Sequence, residues 1–95
     1  MPVWLKSGDV MANRVAVIAI IAESTQASGE INSLLHEFNS FIIGRMGLPY
    51  RERKMNIITI AVDAPQDTIN ALSGKLGRIP GVTAKAVCSR EQEQL

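Results

Sequence analysis

Arg14-Val15-Ala16-Val17-Ile18-Ala19-Ile20-Ile21-Ala22 is apolar on both of its alternating sets of residues. A strand with one wet face alternates polar and apolar side chains, so a run with two apolar sets reads as a strand covered on both faces. Asn56-Ile57-Ile58-Thr59-Ile60-Ala61-Val62-Asp63 repeats the pattern in β-branched residues and reads as a second such strand. These two runs demand central places in a sheet, and the remaining elements arrange themselves around that demand.

Between the two runs, Ile31, Leu34, Leu35, Phe38, Phe41 and Ile42 recur at intervals of three and four, which predicts an amphipathic helix closing at Gly44. Ser24, Thr25 and Ser28 are its candidate N-caps. Arg45 to Leu48 reads as a short edge strand and Pro49 to Met55 as the returning loop. After the second strand, Asp63 is a candidate cap for a helix that begins near Pro65 and carries Ile69, Leu72, Leu76 and Ile79 on one side. Pro80-Gly81 breaks the chain, and Val82 to Cys88 reads as the last strand. The order βαββαβ, with right-handed crossovers, places the first and third strands in the middle. The expected class is therefore α+β: a ferredoxin-like sandwich with an antiparallel four-stranded sheet and two helices on one face. Helices cover only one face, so the first strand presents either Val15/Val17/Ala19/Ile21 or Ala16/Ile18/Ile20 to the other side. Such a row left in water costs about 25 cal/mol per Å², and another copy of the chain is the expected cover, making a dimer or tetramer.

The 95 residues suffice for one domain and one core. Residues 13–88 are assigned to it, with residues 1–12 as an N-terminal extension, in which Met11 is a possible internal start, and residues 89–95 as a polar tail. A formal charge of +1 supplies no global field for a polyanion, so direct nucleic-acid binding is not expected. The single Cys88 excludes an intrachain disulfide framework and fits a reducing compartment. Lys6 precedes an apolar run that resembles a signal peptide, but Asp9 interrupts the basic region and the run is β-branched. No stretch reaches the length of a membrane span, and the expected location is the cytoplasm.

Three features invite chemistry. Arg45, Arg51 and Arg53, with Tyr50 beside them, carry the guanidinium forks and phenol that hold phosphate or carboxylate, or that hold subunits in register. His36, the only histidine, falls on the polar side of its helix with Asn32 and Ser33. One histidine and one cysteine on distant elements make a poor metal site, so no metal ligand is assigned. Gly74 sits in the second helix opposite its apolar stripe, flanked by Lys75 and Arg78, where the missing side chain leaves room for a ligand or a neighbouring helix. There is no Walker-type loop, paired-cysteine motif or nucleophile with a histidine at a convincing spacing, so no catalytic residue is assigned and an enzyme is not expected; the remaining alternative of a small ferredoxin-like enzyme requires an activity that disappears when His36 or Tyr50 is replaced.

The blocks His36-Glu37-Phe38, Gly44-Arg45-Met46-Gly47-Leu48-Pro49-Tyr50-Arg51-Glu52-Arg53, Ile57-Ile58 and Ser73-Gly74-Lys75-Leu76-Gly77-Arg78-Ile79-Pro80-Gly81-Val82 together resemble a family of small proteins provisionally assigned as regulators of the iron-only hydrogenase system. The resemblance covers Asn13 to Cys88. It implies an ACT-like form of the ferredoxin-like fold, related in shape to the C-terminal domain of nickel-responsive regulators, and a regulatory or sensing role. An effector would then sit at the loop from Glu23 to Gly29 or at the basic segment from Arg45 to Arg53. A second role consistent with the resemblance is an accessory protein that docks onto a hydrogenase-related partner. Lys54 stands where that family often has glycine, and the chain before Asn13 lies outside its pattern. No cofactor is assigned.

Overall fold

A computed structural model describes residues 13–90, so the expectations for residues 1–12, Met11 among them, and for 91–95 lie outside it. The elements run β1 (Asn13–Ala22), α1 (Ala27–Glu37), a 3-10 turn (Asn39–Phe41), β2 (Ile42–Tyr50), a second 3-10 turn (Arg51–Arg53), β3 (Met55–Pro65), α2 (Gln66–Gly77) and β4 (Val82–Cys88). The sheet order is β2-β3-β1-β4 and every pairing is antiparallel. This is the ferredoxin-like α+β sandwich, and the two doubly apolar runs are its two central strands.

The alternation in β1 resolves which set faces the helices. Ala16, Ile18, Ile20 and Ala22 are closed off, each no more than 1% exposed, whereas Val15, Val17 and Ile21 remain 40 to 46% exposed. Register carries the division across the sheet: Ile18 stands opposite Ile60, and Val17 opposite Ala61 on one side and Val87 on the other. From α1, Ala27, Ile31, Leu35 and the following Phe38 enter the core, and from α2 so do Ile69, Leu72, Leu76 and the following Ile79. Each large side chain so buried contributes about 1.5–3 kcal/mol relative to exposure.

Several boundaries differ from the expectation. The first helix ends at Glu37, with Phe38 as its C-cap, and Gly44 is a residue of β2 that closes nothing. Phe41 and Ile42 hold the helical phase and do pack on the core, but through a 3-10 turn and the opening of a strand, so their periodicity is right in side and wrong in structure. The edge strand is accordingly longer than Arg45 to Leu48, and a bulge lies between Ile42 and Gly44. Asp63 caps no helix, because it is paired with Val15 inside β3; Pro65 occupies the N-cap of α2 without a side-chain cap. Gln26, not Ser24, Thr25 or Ser28, is the N-cap of α1, and the Ser24 hydroxyl instead accepts from the Gln26 N–H at 3.1 Å within the preceding turn.

Two backbone positions explain local sequence choices. Gly81 has φ +81°, and a Cβ there would lie 3.0 Å from the Ser24 side chain; its carbonyl accepts from the Glu23 N–H at 2.8 Å. Glycine alone satisfies both the conformation and the approach. Lys54 has φ 53° and ψ 45°, the left-handed region, at the turn from the Arg51–Arg53 segment into β3. A lysine there is strained by its own Cβ, which accounts for a glycine at this point being the easier choice.

Candidate groove between α1 and the β2 edge

The basic segment is divided by the strand it enters. Arg45 lies opposite the buried Ile60, so its side chain rises on the helix side, where Nη2 donates to Asn32 Oδ1 at 2.9 Å. Tyr50 is opposite Met55 and 41% exposed, and Arg51 and Arg53 are exposed in the turn beyond. Of the three arginines, Arg45 alone is shown bonded to α1 among the described residues.

Around Arg45 a groove of about 250 Å³ opens between α1 and the edge of the sheet. Ser28 and Asn32 form the helix wall; Gly47, Leu48 and Pro49 of β2 and Asn56, Ile57 and Ile58 of β3 form the rest. Gly47 has nothing within 4 Å of where a Cβ would stand, which leaves that wall low. Ser28, in the first turn of α1, belongs to the segment from Glu23 to Gly29 that the sequence reads as a loop. Each of the two segments singled out in the sequence thus contributes to this lining, the first through Ser28 alone and the second through Arg45, Gly47, Leu48 and Pro49, whereas Tyr50, Arg51 and Arg53 lie outside it. Asn32 and Asn56 were not legible as partners, since neither carries a charge or a motif; the signal that finds them is the fold itself, which lays α1 over the strand bearing Arg45.

The lining holds one cation, three neutral polar side chains and no carboxylate. A guanidinium has five N–H donors. The contact with Asn32 uses one nitrogen and fixes the orientation of the fork, so that the rest are available for a planar anion. The chemistry that fits is a small carboxylate or phosphate ester with an apolar portion against Pro49 and Ile58.

A larger groove, about 420 Å³, runs between the helices and is lined by Gly29, Glu30, Ser33, Leu34, Lys75, Arg78 and Ile79. Size does not make it the better anion site. Glu30 stands in the same lining as the cations, and Lys75 is engaged with Glu37 at 3.8 Å and lies 5.5 Å from the Phe38 ring centroid. Nothing among the described residues makes use of the missing side chain at Gly74: a Cβ there would meet only Arg78 Nη2, at an ordinary 3.7 Å. His36 is exposed on α1 and lines neither groove. Cys88 is half-buried at the end of β4, where Gln66 Nε2 donates to its sulfur at 3.7 Å. Among the described residues no three His, Cys, Asp or Glu side chains gather as a metal site, and no helix is long and apolar enough to cross a membrane.

Comparison with known proteins adds a family. Residues 14–86 match the TM1266-like model, provisionally described as an iron-only hydrogenase system regulator. The solved structure of the uncharacterized protein TM1266 from Thermotoga maritima is 42% identical, covers 80% of this chain and 96% of its own, and superposes with a TM-score of 0.77. A formyltetrahydrofolate deformylase from Pseudomonas putida KT2440 matches over 82% of this chain but 30% of its own, at 11% identity and a TM-score of 0.60, a likeness of fold alone. None of the curated proteins matches.

Proposed function

Because this chain belongs to the TM1266-like family of iron-only hydrogenase system regulators, we propose that it is a small cytoplasmic, homo-oligomeric sensing module of that system, responding to an anionic effector held in the α1/β2 groove. The observation that carries this reading is Arg45, oriented by Asn32 in a groove otherwise lined by neutral polar and apolar groups. Effector binding would bridge α1 to the edge strand and stiffen both. The module is a binding protein rather than an enzyme, since the groove holds no acid–base pair, and it acts on its targets through a protein partner rather than by reading DNA.

A second reading, an accessory protein docking onto a hydrogenase-related partner, draws on the exposed outer face of the sheet. Thermal unfolding against a panel of small carboxylates and phosphate esters separates the two. On the sensing reading at least one compound stabilises the chain, by about 2.7 kcal/mol at a hundred times its dissociation constant, and Arg45→Ala removes that gain while Asn32→Ala reduces it. A panel without effect, or an equal response in Arg45→Ala, contradicts it.

A further inference from the structure

Each strand carries a single charged residue, and the four are divided between the faces. Arg14 and Arg45 lie on the helix side, bonded to Gln66 and Asn32. Asp63 and Lys85 lie on the outer face, opposite Val15 and Ala19 respectively. Around them Val15, Val17, Ile21, Met46, Leu48 and Val87 are between 40 and 70% exposed.

We infer that this outer face is covered by the same face of a second copy, in a two-fold stack that sets Lys85 of each chain against Asp63 of the other across an apolar centre at Val17. Asp63 flanks β1 from the β3 side at Val15, and Lys85 flanks it from the β4 side at Ala19, so Val17 is midway in register. A two-fold axis between the stacked faces, passing over Val17, exchanges the two positions. One acid and one base at related places make the surface complementary to itself, as an isologous contact requires. Four strands about 4.8 Å apart, and about 25 Å long, give roughly 500 Å² in plan before side-chain relief. With that relief the face approaches the ~800 Å² per partner of a stable complex.

The edges of the sheet are poorer meeting places. A bulge between Ile42 and Gly44 and the missing N–H of Pro49 interrupt β2, and Lys85 stands mid-strand in β4. The inference rests on the oligomeric part of the proposed function and not on the groove.

Sedimentation of the full chain tests it. The wild type is expected to be a dimer or an assembly of dimers at micromolar concentration. Lys85→Glu and Asp63→Lys singly should each weaken self-association by about tenfold or more, and the double exchange should restore it. Val17→Asp should give a folded monomer whose response to small anions is that of the wild type. A monomeric wild type, or charge variants that associate as the wild type does, overturns the proposal; so does a double exchange that fails to restore association, the outcome expected if the face instead docks an unrelated protein. Loss of the anion response with the dimer intact contradicts only the groove reading.

Discussion

Ile18 and Val17 are consecutive residues of β1, yet Ile18 is fully closed and Val17 is two-fifths open. Across the sheet the same contrast holds between Ile60, sealed beneath the helices, and Met46, 65% exposed on the reverse. The two faces are built from similar aliphatic residues, and what separates them is cover supplied by the chain itself. The inner face is a core in the thermodynamic sense, indispensable to the fold of one chain. The outer face of the described strands has a core's composition without a core's closure, and among those strand residues it carries two charges, Asp63 and Lys85, that make it self-complementary.

Substitutions on the two faces should differ accordingly. Ile60→Ala leaves a cavity under both helices and should cost about 2–5 kcal/mol in chemical denaturation. Val17→Ala should cost far less in a chain held monomeric by Lys85→Glu; comparable losses at both sites would erase the distinction. Gly81→Ala forces a Cβ into Ser24 at a positive φ, loosening the join of β1 and β4, and should cost about 1–2 kcal/mol. Because that join belongs to the single chain, the loss should persist in the monomeric background. The smallest expected change is a gain: Lys54→Gly relieves the left-handed strain and should stabilise by under about 1 kcal/mol, part of the relief being offset by unfolded-chain entropy.

The fold was legible because its central strands announce themselves: β-branched runs apolar on both sets fit no edge, and Val82 to Cys88 was delimited by Pro80-Gly81 before it and polar residues after it. The end of α1 was not, since Phe41 and Ile42 continue the three-and-four spacing after the helix has stopped, and packing, not propensity, holds them on the same side. Arg45 was legible as a candidate from its charge and motif. That Arg45 bonds to Asn32 of α1 while Arg51 and Arg53 sit in an exposed turn was not, because the strand gives way to a 3-10 turn after Tyr50 at a point that no local sequence signal marked. The groove was legible only as two segments; that Ser28 and Arg45 share it follows from the crossing of α1 over β2.

The claim that the outer face is completed by a second copy is tested most directly by the unfolding midpoint of the wild-type chain over a hundredfold range of concentration. If folding and stacking are coupled, mass action adds roughly 2.7 kcal/mol per dimer across that range and the midpoint rises by several degrees. A midpoint that stays constant over the whole range would contradict it.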